Sequence, residues 1–142
     1  KEQINNKKKL YLSDNGFISL GYAFSSNYGK LLENLVFTEL QKADFEIFYF
    51  NSDFECDFIA KKADKTIAIQ VCYSLNEENK KREINAFLKL PFNVNEKYII
   101  TYNQKDKIDD IEVISFWEYF QGFNNNWNED IKELSGSWSN LI

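Results

Sequence analysis

A chain of 142 residues with 44% hydrophobic and 17% aromatic side chains suits one domain with its own core. It is too short for two domains and too apolar for a disordered tail. A formal charge of −5 argues against a strong electrostatic grip on nucleic acid, which needs a basic face, and with no His and only two Cys a structural zinc site lacks its ligands.

In chain order, residues 1–26 read as a connecting segment from a preceding region. They run from a basic start at Lys7-Lys8-Lys9 through Leu10 and Leu12 to the turn signal Asp14-Asn15-Gly16. Residues 28–43 carry Leu32, Leu35, Val36 and Leu40 at helical spacing, with Ser26 or Asn27 as the expected cap. The aromatic run 45–50 predicts a strand, residues 56–60 a second, and Ala63-Asp64-Lys65 a hairpin turn. The near-continuous apolar run 66–73 predicts a third strand in a central, two-sided position. Ser74-Leu75-Asn76-Glu77 has the spacing of a capping box. The helix that follows is expected to bury Ile84, Phe87 and Leu88 and to stop near Leu90, before Pro91. Residues 97–101 and 111–115 predict two more strands, and 116–120 a short closing helix. A helical crossover makes the third and fourth strands parallel. The fold class is therefore α/β, a mixed sheet of about five strands flanked by helices (an α+β arrangement). The domain is expected over 27–122, with an extension over 123–142.

No run approaches the roughly 18–20 apolar residues that cross a bilayer. The chain contains no Met and begins Lys1-Glu2-Gln3, which reads as an excerpt from a longer polypeptide. Cys56 and Cys72 sit in apolar, strand-like runs where a small buried thiol is ordinary. A cytoplasmic setting is expected, with no membrane contact. Lys80-Lys81-Arg82, like Lys7-Lys8-Lys9, reads as a solvated face before it reads as a phosphate contact.

Strand alternation places the polar groups. Ala68, Gln70 and Cys72 share one face of the third strand, and Ile69, Val71 and Tyr73 the other. Glu55, Asp57 and Ile59 are expected to share a face of the second. Pairing through the hairpin turn then brings Asp57 close to Gln70. On the first helix Glu33 shares a stripe with Phe37 and Leu40, which turns it partly inward. A helix Glu, a strand Asp and an amide oxygen make an oxygen-rich pocket of the kind that takes Mg²⁺ or Mn²⁺. Each also has a plainer reading: Glu33 as a helix-flank charge, Asp57 and Gln70 as hydrogen-bonded structural groups.

Several separated blocks, in order, resemble one family. They are Tyr28-Gly29-Lys30-Leu31-Leu32-Glu33-Asn34-Leu35-Val36-Phe37, Glu55-Cys56-Asp57-Phe58, Ile69-Gln70-Val71-Cys72-Tyr73-Ser74-Leu75 and Arg82-Glu83-Ile84. The family is DUF4143, a domain that follows the AAA+ module in a large group of prokaryotic ATPases. Its fold is similar to the PD-(D/E)xK nucleases, a restriction-endonuclease-like core. The resemblance implies Glu33 as the helix carboxylate, Asp57 as the main metal ligand, and a Glu-x-Lys pair on the third strand. Here Gln70 and Cys72 stand in those two positions. Gln70 offers an uncharged carbonyl oxygen, and Cys72 cannot replace the ammonium that steadies developing phosphate charge. Lys80 and Lys81 are the candidates for a lysine supplied by the neighbouring helix. The first expectation is therefore a non-catalytic or weakly catalytic accessory domain of an ATPase. It would serve substrate engagement, assembly or regulation, with the N-terminal ATPase module as its partner and DNA as a second. The alternative is an active Mg²⁺-dependent nuclease that hydrolyses phosphodiester bonds. No Walker motif is present, so ATPase activity is expected only from the rest of the parent chain.

Overall fold

The computed structural model describes residue 11, residues 28–51 and residues 54–120. Helix α1, Tyr28–Lys42, buries Leu32, Val36 and Leu40, spaced four apart on one stripe. It ends in a left-handed residue, Asp44, at φ 57°. The Phe45 N–H reaches back to the Leu40 carbonyl and the Asp44 N–H to that of Gln41, which is the Schellman closure with Asp where glycine is usual. Lys62 Nζ caps the last turn further by donating to the Ala43 carbonyl at 2.9 Å.

Five of the strands run β1 Glu46–Asn51, β2 Glu55–Lys62, β3 Lys65–Val71, β4 Glu96–Thr101 and β6 Ile111–Ser115, with helix α2, Glu77–Leu88, between β3 and β4. A sixth, β5 Asp106–Ile108, lies at the edge of the sheet. The sheet order is β1-β2-β3-β4-β6-β5. β3, β4 and β6 run parallel, while β1, β2 and β5 pair antiparallel with their neighbours. The helical crossover through α2 thus joins parallel neighbours as expected, and the mixed α/β sheet has six strands where the sequence pattern suggested about five. Residues 116–120 are helical.

Two cores lie on the two faces of the sheet. On one, Leu32, Val36 and Leu40 of α1 pack with Phe58, Ile67, Ile69 and Ile100, together with Phe116 and Tyr119. The Tyr119 hydroxyl donates to the Val36 carbonyl at 3.3 Å, tying the helical turn at 116–120 to α1. On the other face Phe87 of α2 packs with Cys56, Ile59, Ala68, Ile99 and Val113.

The structure corrects several expectations. The cap of α2 is Asn76, whose side chain accepts from the Glu78 and Asn79 N–H groups while Asn79 returns a bond to the Asn76 N–H. Ser74 only offers its carbonyl to Asn79 Nδ2, so the expected Ser74–Glu77 box does not form. A Ser-x-x-Glu box does close elsewhere, between Ser115 and Glu118 at the start of the 116–120 turn. On α2 the buried stripe is Glu83, Ala86 and Phe87, and Leu88 is 70% exposed. The caps proposed at Ser26 or Asn27, and the turn at Asp14-Asn15-Gly16, lie outside the described residues.

Candidate functional site

The alternation expected on β2 fails at one point, and that failure shapes the site. β1 pairs Phe48 with Ile59 but Phe50 with Cys56, so one residue of β1, Tyr49, faces two of β2, Asp57 and Phe58. This is a β-bulge, and it reverses which face each later side chain takes. Cys56 and Ile59 therefore pack in the same core, beneath α2. Glu55, Asp57 and Ile59 do not share a face. The regular β2–β3 ladder ends at Phe58–Ile69, leaving Asp57 beside Gln70 where the two strands part.

Side chains fill this opening. Gln70 Oε1 accepts from the Asp57 backbone N–H at 2.7 Å, and Asp57 Oδ2 accepts from the Val71 backbone N–H at 2.9 Å. Gln70 Nε2 donates to Glu83 Oε2 at 2.8 Å. Glu83 Oε1 in turn takes the Arg82 guanidinium at 2.5 Å. One connected path thus runs Asp57, Gln70, Glu83, Arg82. Its inner members are enclosed, with Gln70 6% and Glu83 3% exposed, whereas the Arg82 side chain is 78% exposed. Each buried polar group has a partner, as burial requires.

The electrostatics follow from the same path. The hydrogen bond and charge of Glu83 hold the Arg82 guanidinium even more firmly protonated than usual. Burial first, then the negative charges of Glu83 and Asp57, push the Cys72 thiol up to about 12 against the opposing effect of Arg82. A thiol raised that far is an inert core group and not a nucleophile.

On the opposite side of the opening stands Glu33, half-buried on α1. The Tyr11 hydroxyl donates to Glu33 Oε1 at 2.8 Å, and the charges of Asp57 and Glu55 also bear on that hydroxyl. Of the three sequence-derived residues, two are in direct contact and the third is linked only through the Tyr11 hydroxyl. Asp57 and Gln70 meet through a backbone N–H, and Glu33 joins them from the α1 side by way of Tyr11. Lys80 lines a separate cleft of about 310 Å³ with Leu75, Gln104 and Lys105, and Lys81 is exposed. Arg82 is a cation whose charge reaches both Cys72 and Asp57.

As these side chains stand, they do not fit a divalent cation. The Gln70 oxygen that would complete a shell is engaged by the Asp57 amide. Among the described residues no group of three or more His, Cys, Asp or Glu is arranged to hold a metal ion.

Residue-level reading of the sequence missed Glu83 and Arg82 as members of the site. The available signal was positional: Glu83 lies one turn before Phe87 on the stripe that faces the sheet, opposite a strand with a buried amide.

Comparison with known proteins adds family membership. An uncharacterized protein of Methanocaldococcus jannaschii is 44% identical over 130 residues, covering 78% of this chain and 29% of that protein. An uncharacterized protein of Haemophilus influenzae is 34% identical over 119 residues, covering 80% of this chain and 29% of that protein. The chain thus spans under a third of the length of these relatives. No solved structure matches it. The model of the family described as a domain of unknown function, DUF4143, matches residues 28–119, from the start of α1 through the closing helical turn and across the whole Asp57–Arg82 path, and the chain belongs to that family.

Proposed function

We propose that this domain is an accessory module of a larger cytoplasmic ATPase, non-catalytic or weakly catalytic, that serves substrate engagement, assembly or regulation. The ATPase module would lie in the same parent chain, and DNA is the nucleic acid that the resemblance suggests as a second partner. One observation carries the reading. Gln70 bridges the Asp57 N–H and the Glu83 carboxylate, so polar groups that would otherwise present oxygens to a metal are used to join β2, β3 and α2. The high thiol pKa at Cys72 supports it, since a neutral thiol and not a cation stands in the position where the nuclease motif has lysine. The net charge of −5 supports it too, because a DNA-cutting groove works with positive walls. The test is plasmid cleavage by the purified protein with Mg²⁺ or Mn²⁺, beside an Asp57→Ala control. The expected result is no cleavage in either metal by folded protein. Cleavage that Asp57→Ala abolishes would instead make the domain a metal-dependent nuclease, with Asp57 and Glu33 as its acidic residues.

A further inference from the structure

Three tyrosines form a row at the carboxyl ends of the parallel strands β3 and β4, the end at which open α/β sheets bind ligands. Tyr73 stands just past β3, Tyr102 directly after β4, and Tyr28 opens α1. The Tyr73 and Tyr102 rings stack at a centroid distance of 5.0 Å and an interplanar angle of 15°. Tyr28 tilts against Tyr73 at 5.4 Å. Despite these contacts each residue stays 41–55% exposed. The loops that carry Tyr73 and Tyr102 are tied together. The Tyr102 N–H donates to the Tyr73 carbonyl at 3.1 Å, which extends the β3–β4 pairing past the strands. The Gln104 side chain accepts from the Leu75 N–H at 2.6 Å and donates to the Leu75 carbonyl at 2.9 Å. The buried Thr101 hydroxyl accepts from the Gln104 N–H at 2.9 Å. These two rings are thus fixed before any partner arrives, which removes part of the ordering cost of binding.

Charge selects the partner. Exposed Glu55 opens β2 at the end of the sheet where β3 closes, since the two strands pair antiparallel. Its neighbour Cys56 packs in the core beneath α2, so Glu55 faces the α1 side, which is the side of the tyrosines. The Asp57 carboxylate accepts from the Val71 N–H, two residues from Tyr73. With a charge of −5 on the whole chain, such a face repels a polyanion and attracts a cation. We propose that the Tyr28–Tyr73–Tyr102 row docks an extended, arginine-bearing segment of a partner protein. A guanidinium group is planar, stacks on aromatic faces and forks onto carboxylates, so one type of side chain uses both the rings and Glu55. Tyrosine and arginine are also among the residues that most often carry interface energy. The inference names a partner class for the engagement role proposed above and rests on it.

Fluorescence anisotropy of the purified protein with a labelled peptide of repeated Arg-Gly-Gly units tests this. Lysine and glutamate versions of the peptide and single-stranded oligothymidine are the comparisons. The arginine peptide is expected to bind saturably and more tightly than the lysine peptide, with no binding of the glutamate peptide or of oligothymidine. Tyr73→Ala should weaken binding about tenfold, the scale of one cation–π contact shielded from water. Tyr73→Phe keeps the ring and should stay within about twofold of wild type. Tyr102→Ala is expected to act as Tyr73→Ala does and carries the test if that variant does not fold, which far-UV circular dichroism reads. Glu55→Gln should weaken binding and reduce its salt dependence. Absence of arginine-peptide binding, or binding that both tyrosine-to-alanine changes leave intact, refutes the surface. Tyrosine-dependent binding of oligothymidine in its place would make the occupant a nucleic acid and overturn the proposal equally. Neither result alters the plasmid-cleavage outcome on which the non-catalytic reading stands, so the two fail separately.

Discussion

Removing the Gln70 amide should unfasten three elements at once. In Gln70→Ala the Asp57 N–H loses its acceptor and the Glu83 carboxylate loses a donor. A deserted buried polar group costs about 1–3 kcal/mol, and more when it is charged. Asp57 is half-buried, so water recovers part of its loss and the lower figure, about 1 kcal/mol, applies. Glu83 is 3% exposed, which places it at about 2–3 kcal/mol. The expected destabilisation is therefore about 3–4 kcal/mol, a large fraction of the stability of a domain this size. Urea unfolding, followed by far-UV circular dichroism, reads it as a midpoint shift. With a slope of about 2 kcal/mol per molar urea the midpoint should fall by about 1.5–2 M. Glu83→Gln separates hydrogen bonding from charge. It keeps an acceptor for Gln70 Nε2 but loses the pairing with exposed Arg82, so it should cost only about 1 kcal/mol. A loss below about 1 kcal/mol for Gln70→Ala would show that the path is incidental to the fold and remove the observation that carries the proposed non-catalytic role.

Three further outcomes follow from single features. Asn76→Ala should destabilise by about 1 kcal/mol through loss of the α2 cap while Ser74→Ala stays within about 0.5 kcal/mol; equal losses in urea unfolding would put the cap at the wrong residue. Ala63 holds φ 49° in the β2–β3 turn, so Ala63→Gly should raise the thermal midpoint by relieving up to about 1 kcal/mol of left-handed strain, and a lower midpoint would refute that. Alkaline pH should weaken the fold: Cys72 rises from 9.0 to about 12 and Tyr98 from 10.0 to about 12, each mainly through burial. Groups with raised folded pKa values lend stability below their unfolded values and lose it as pH climbs towards 12, at no more than about 1.4 kcal/mol per pH unit for each group. Between pH 9 and 10 the thiol contributes most of the pair's effect, because the unfolded value of Cys72 is 9.0 against 10.0 for Tyr98, so Cys72→Ala should flatten the decline in urea midpoint there; an unchanged slope would contradict the assigned cause.

Much of the fold was legible because its signals are local and periodic. Leu32, Val36 and Leu40 mark α1 at a spacing of four, the apolar run through Ile67 and Ile69 marks the central strand, and Pro91 bounds α2. β5 was not legible, since three residues reading Asp-Lys-Ile carry neither alternation nor apolar weight and are ordered by pairing with β6. The bulge at Asp57–Phe58 was also hidden. Nothing in Cys-Asp-Phe-Ile announces an extra residue, and the shift appears only when Phe48 and Phe50 are paired across the strand gap. At α2 Ser-x-x-Glu from Ser74 and Asn-x-x-Asn from Asn76 compete two residues apart, and the choice depends on where β3 releases the chain.

The bulge also explains how a carboxylate survives in an apolar strand. Under strict alternation Asp57 would share the face of Ile59, buried against Ala68 and Phe87, where a charge without partners is prohibitive. The extra residue takes Asp57 out of that core, so that its carboxylate accepts from the Val71 N–H and its backbone N–H stands at the opening, where Gln70 answers it. Gln70 can do so because an amide accepts on one side and donates on the other. A glutamate in its place would still accept from Asp57 but would set a second negative charge against Glu83, with no donor between them. The Gln at position 70 and the Glu at position 83 are therefore one solution and not two independent choices: the uncharged strand residue is what allows a buried helix carboxylate to close the path. Placing an acid on the strand alone, by Gln70→Glu, should accordingly destabilise the domain at neutral pH, and its combination with Glu83→Gln should recover most of the loss in the same urea experiment.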